Sequence, residues 1–174
     1  MTARLAKIVA VAVMAAYFTI VAYGNVTDPE ANLPFVRHVM SMDTIHQSST
    51  IMWRAVTDPA IHVLAFWLIV VWQGLVAFFC WLGVFRLFVS WFGRARAFNR
   101  AKSIAVFGLL MGFVLYGFGF LVVAGEWFAM WQSPTWNAQT NAGMFALIIL
   151  GVMIFVYVPE PMESHDEFET ADDP

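Results

Sequence analysis

Charge is scarce in this chain. Only 12% of its 174 residues are Asp, Glu, Lys or Arg, while 61% are hydrophobic. A soluble domain keeps roughly a quarter of its residues charged. Polar side chains are too few here to cover a water-facing surface, so lipid must cover much of it. Cysteine is scarcer still. Cys80 stands alone in an apolar run, which excludes an internal disulfide, leaves the redox compartment unread and predicts a small buried hydrophobe. The sequence also lacks the basic stripe that nucleic acid requires. It holds no glycine-rich phosphate loop, nucleophile arrangement or carboxylate pair at membrane depth, and no internal repeat.

What is present is apolar and aromatic. Mean hydropathy is +0.72, and aromatics make up 17%, with 17 Phe and 8 Trp. A spanning helix needs about 20 predominantly apolar residues. Four stretches meet or approach that, at about 5–24, 61–86, 104–124 and 142–158. The chain therefore reads as all-α, a four-helix transmembrane bundle over residues 1–158 with short helical segments in its first outer loop, 25–60. The second stretch stays apolar past Arg86 to Phe92. Arg86 is expected to mark where the helix leaves the hydrocarbon, its guanidinium snorkelling to the headgroups. A rival reading exists for the first stretch. Its basic residues, apolar core and Ala22-Tyr23-Gly24 triplet resemble a secretory signal, with a mature start at Asn25.

The basic residues set the expected orientation. Arg4, Lys7, Arg86, Arg94, Arg96, Arg100 and Lys102 fall on one side of the spans, and only Arg37 and Arg54 on the other. By the positive-inside rule both termini and the loop between spans two and three are cytoplasmic. The tail, 159–174, holds Glu160, Glu163, Asp166, Glu167, Glu169, Asp172 and Asp173 without apolar periodicity, and reads as disordered.

The first outer loop is too long for a simple connector. Asn32-Leu33-Pro34 predicts a short helix through Phe35, Val36, Val39 and Met40, using proline's first-turn preference. Ser48 or Ser49 is a candidate cap for a second one through Ile51, Met52, Trp53 and Val56. Asp58-Pro59 reads as the N-cap and first residue of span two. The other outer loop carries Trp127, Trp131 and Trp136. Indole rings prefer the headgroup level, so this segment reads as an interfacial anchor first and a binding surface second.

Few residues point to chemistry. A buried bis-histidine haem needs two histidines inside facing helices, and only His62 lies near a span. His38, His46 and His62, with Asp43 or Asp58, are weak metal candidates, since their spacing matches no compact ligand motif. Loop packing is the plainer reading of these histidines, and no cofactor is implied. Polar groups at membrane depth are functional suspects. Here they reduce to Gln73, Tyr116 and Glu126. Glu126 is expected to pair with Arg54 or Arg37 and hold the outer cap in register. Gly108, Gly112 and Gly119 gather with Ala105 near one helix face, and Gly108-x-x-x-Gly112 is the pattern of close helix approach. It serves packing within the molecule or, alternatively, association between molecules.

Four stretches carry a resemblance: Phe35-Val36-Arg37-His38-Val39-Met40-Ser41-Met42-Asp43-Thr44, Met52-Trp53-Arg54-Ala55, Ala97-Phe98-Asn99-Arg100-Ala101-Lys102 and Gly125-Glu126-Trp127-Phe128-Ala129-Met130-Trp131-Gln132-Ser133. From about Leu5 to Val158 the chain resembles the bacterial predicted small integral membrane proteins of domain-of-unknown-function family 2165. That resemblance implies a proteobacterial inner-membrane protein with four spans, and supplies no activity, cofactor or partner. It makes the outer cap, with Arg37, His38, Asp43, Trp53, Arg54, Glu126, Trp127 and Trp131, the candidate interaction surface. The leading functional expectation is a non-enzymatic accessory or assembly subunit of a larger membrane complex. A small transporter or channel and a metal- or haem-binding redox protein are the alternatives. Expected partners are the lipid bilayer and either a larger complex or a homo-oligomer, with no nucleic acid.

Overall fold

The computed structural model describes residues 1–46 and 50–161. Its helices are α1 (Thr2–Thr27), α2 (Leu33–Ser41), α3 (Pro59–Val89), α4 (Ala95–Val114) and α5 (Gln139–Tyr157). α4 runs on without a break as a π-helix, Leu115–Trp127, and short 3-10 turns occupy Pro29–Ala31, Met52–Arg54 and Met130–Gln132. α1, α3, α4 with its extension, and α5 are each long and apolar enough to cross a membrane. At 1.5 Å per residue, α5 with 19 residues is about 29 Å long, close to the ~30 Å hydrocarbon core. α3 has 31 residues and overshoots that core, so it tilts or projects beyond it.

Local chemistry sets the helix ends. Pro34 sits in the first turn of α2, where a missing N–H costs nothing. Asp58 caps α3 by accepting the Ala60 N–H at 2.8 Å, with Pro59 as the first helical residue. Met42 ends α2 in the left-handed region at φ 53°. The expected second loop helix is represented by the 3-10 turn Met52–Arg54, and its proposed caps, Ser48 and Ser49, lie outside the described residues. α3 passes Gly83 unbroken and continues beyond Arg86 to Val89.

α3 lies between α1 and α4, and α5 closes on α4 and its π extension. Val11, Ala15, Phe18, Val76, Cys80, Leu87, Phe98, Ala105, Leu109, Ile149 and Val156 are fully buried between them. Val13, Leu64, Phe78, Phe85 and Leu147 face outward. Such a surface is a liability in water and the natural exterior in hydrocarbon.

The α3–α4 seam changes character along its length. A Cβ at Gly83 would lie 2.6 Å from Ala105 Cα, and one at Gly108 only 2.8 Å from the Cys80 nitrogen. The two backbones touch there because neither glycine carries a side chain. Beyond Val114 the backbone widens into the π form, seen in the Phe128 N–H bond to the Val123 carbonyl at 3.0 Å. π turns are rare and mostly single-turn bulges, and no sequence feature announced this one. The widened segment packs chiefly on α5, and on its α3 side space opens.

Candidate functional site

The polar side chains form three groups along the bundle. The first joins both chain ends to the α3–α4 turn. Arg4 and Lys7 share one face of α1, and Asn99 and Lys102 share one face of α4, because residues three apart are neighbours on a helix. Lys7 Nζ donates to the Val158 carbonyl and to Glu160 Oε1, both at 2.6 Å. Lys102 Nζ donates to the same carbonyl at 2.7 Å and to Asn99 Oδ1 at 2.8 Å. Asn99 Oδ1 also accepts the Glu160 N–H at 2.9 Å. Arg4 donates to the carbonyls of Trp91 and Gly93 at 2.8 and 2.7 Å. The cations thus satisfy carbonyls left over at two helix C-termini, where positive charge is favoured. Phe98 packs under the clasp, with the Arg4 guanidinium 5.0 Å from its ring centre. Burial pushes the Glu160 carboxyl up. Its hydrogen bond from Lys7 and the charges of Lys7, Lys102 and Arg4 outweigh that and hold it below its ordinary 4.5. Glu160 therefore belongs to the folded bundle although sequence reading put it in the tail. Residues 162–174 lie outside the described residues.

The second group sits at membrane depth. The Tyr17 and Tyr116 hydroxyls share a hydrogen bond at 2.7 Å, and both rings stack on Phe145. Nearer the other end three amides form a chain. Asn32 Nδ2 donates to Asn25 Oδ1, and Asn25 Nδ2 donates to Gln73 Oε1, each at 2.8 Å. The lone amide that sequence reading noticed, Gln73, is one end of this relay. Trp72 Nε1 donates to the Met111 carbonyl at 3.0 Å, just before the backbone widens.

The third group is the cap at the opposite end from the clasp. His38 meets Asp43 at 2.8 Å and stacks on Trp136 with centroids 4.7 Å apart. His62 is buried and bonds through Nε2 to the Val56 carbonyl at 2.7 Å, while the His46 main-chain N–H points to Gln132 Oε1 at 3.4 Å. The fold does not bring His38, His46 and His62 together. Among the described residues no three His, Cys, Asp or Glu are placed to hold a metal ion. Glu126 accepts from Gln139 Nε2 at 3.4 Å. Its expected arginine partners are engaged elsewhere: Arg37 faces Glu30 at 3.7 Å, and Arg54 lies over Trp127 and Trp53 at 4.7 and 5.5 Å from their centroids. Cation–π contact replaces the anticipated ion pair. Arg54 also reaches the Trp127 carbonyl at 3.4 Å, and among the described residues its buried Nε has no hydrogen-bond partner. Trp53 and Trp131 remain 72% and 53% exposed.

Of the three glycines grouped by spacing, Gly108 meets α3 and Gly112 meets the Phe18 ring of α1, at 2.9 Å from a Cβ built there. Gly119 lines a cavity instead. Sequence reading missed the roles of Asn25, Asn32 and Asn99, and took Trp136 only as one of the interfacial tryptophans. Their partners lie in other helices or loops, and only a polar residue inside an apolar stretch, as at Asn25, offered any signal.

No curated protein and no solved structure matches the chain. One family model, described as predicted small integral membrane protein (DUF2165), matches residues 3–159. That match takes in the clasp as far as Pro159, the amide relay, the cap and nearly all of the four apolar helices, and by it the chain belongs to this family of small integral membrane proteins.

Proposed function

We propose that this protein is a non-catalytic accessory subunit of a larger membrane complex, seated in the bacterial inner membrane with both termini cytoplasmic and docking through its outer cap. The carrying observation is the Trp53–Arg54–Trp127 cluster with the neighbouring exposed Trp131. Trp and Arg are the residues most enriched at interface hot spots. Arg54 is held by rings and a carbonyl, so its charge is presented to a partner's carboxylate. The partner this fits is an acidic outer loop of another membrane protein. Seven of the nine basic residues lie at the clasp end, which supports a cytoplasmic clasp and an outward cap.

Solubilisation in mild detergent at native expression, followed by native electrophoresis and mass spectrometry, tests this reading. The expected result is migration in a hetero-complex that Arg54→Ala with Trp127→Ala dissolves. Migration solely as monomer or homo-oligomer overturns it.

A further inference from the structure

We propose that the cleft between α2, α3 and the π extension of α4 binds a single-chain membrane lipid with an uncharged, hydroxyl-bearing head, of the monoacylglycerol class. This site is separate from the docking cap, and its occupancy does not depend on a protein partner.

Two adjoining cavities carry the inference. One, of about 320 Å³, has an apolar lining drawn from α2 (Val39, Met40), α3 (Ala65, Leu68) and the π segment (Phe118, Val123). The other, of about 210 Å³, is lined by Asn25, Asn32, Gln73 and Tyr116. They share Phe35, Val36, Ile69 and Phe120 as walls, and their sizes suit one small ligand. Leu68 and Phe118 at the edge of the apolar cavity are each 60% exposed, on the surface turned to lipid. A chain dissolved in the bilayer therefore enters sideways, without crossing water.

The polar cavity defines the head. Gln73 is only 5% exposed, and its Oε1 accepts from Asn25. Among the described residues its Nε2 donates no hydrogen bond, and the side chain lines the polar cavity, so an acceptor placed there would complete the amide. At the other end of the relay Asn32, which is exposed, donates to Asn25 and leaves its own oxygen as an acceptor. Turning all three amides over exchanges the ends and leaves the same pair of needs. A head that both accepts and donates meets them, as a glycerol ester does; a quinone only accepts. Neither cavity is lined by a charged side chain, so an anionic or zwitterionic head would be desolvated without compensation.

The test uses the full chain in detergent micelles and a monoacylglycerol with a photoreactive diazirine in its acyl chain, mapped by peptide mass spectrometry. Cross-links are expected on residues 65–69 and 115–124. Unlabelled monoacylglycerol in excess should reduce them about tenfold, while the same excess of phosphatidylglycerol or a quinone should not. Gly119→Leu should cut labelling at least about fivefold by filling the cavity. A Cβ at Gly119 meets only Leu115 Cδ1, at 3.8 Å, so this variant is expected to keep the parent's melting temperature. Gln73→Leu should weaken binding by removing the head's donor. The proposal falls if labelling spreads evenly over outward residues such as Phe78, Phe85 and Leu147, if phosphatidylglycerol or the quinone competes equally, or if Gly119→Leu labels like the parent.

Discussion

The two halves of the bundle are closed by different forces. In the clasp half, α3 and α4 touch at Gly83 and Gly108, and Lys7 and Lys102, both about 95% buried, tie α1 and α4 to the end of α5. In the cap half, α4 widens and parts from α3, and closure falls to aromatic and cation–π stacking, neutral hydrogen bonds and the more exposed Arg37–Glu30 and His38–Asp43 pairs. Charge-assisted bonds to main-chain carbonyls are short and directional, and the cavity of about 790 Å³ beside them, lined by Asn99, Lys102 and Pro159, is partly polar. Ring stacking tolerates gaps, and both cavities bordered by α2 are in this half. One half is tied by buried cations, and the other leaves an apolar space between α2, α3 and the π segment.

The largest test of that contrast is Lys7→Met. Removing one partner of a buried pair costs about 3–5 kcal/mol, and thermal unfolding in detergent should report a loss of that order. A loss no larger than that of a cap substitution would erase the distinction. Acid probes the same contact. Because Glu160 is held below its ordinary 4.5, its contribution is fully present above that value and is lost as pH falls through the lower folded value. Unfolding scans from about pH 6 to about pH 3 should show the decline, and Glu160→Gln should flatten it.

The seam ranks next. Gly108→Leu should cost about 1–3 kcal/mol by overpacking, because its Cβ would press on α3 backbone. Gly119→Leu, in the open half, should stay within about 0.5 kcal/mol. Equal effects at the two glycines would mean that the halves are equally tight. Tyr17→Phe removes the hydroxyl pair between α1 and the π segment and should cost about 1 kcal/mol. The smallest effect belongs to His38→Ala. Its bond to Asp43 is half exposed, and such surface pairs contribute about 0–1 kcal/mol. A larger loss there would show that the cap carries more of the fold than its half-exposed contacts indicate.

Much of the fold was legible along the chain. Residues near 5–24, 61–86, 104–124 and 142–158 announced helices because hydrophobic length is a local property. Pro34 and Asp58-Pro59 announced helix starts because their effect on the backbone needs no distant partner. Gly108 and Gly112 announced close packing. The candidate site was less legible. Lys7 and Glu160 are 153 positions apart, and nothing near either residue names the other. Glu126 and Arg54 looked like partners by charge, yet the guanidinium lies over two tryptophan rings and Glu126 accepts from Gln139. His38 found Trp136 rather than His46 or His62 because the two loops meet face to face.

By itself, then, the sequence determined that this is an all-α membrane protein with four apolar helices and a tryptophan-rich end. Hydrophobic run length and helix-capping chemistry are read within a few residues, and 61% hydrophobic content leaves no soluble alternative. Only the tertiary structure decided which polar groups meet. It made a clasp of Lys7, Lys102, Asn99 and Glu160, a relay of Asn32, Asn25 and Gln73, and a parted seam above Gly108. Those pairings depend on how helices distant in sequence cross. The crossing is set by side-chain volumes on both faces at once, a property that no single stretch of chain contains.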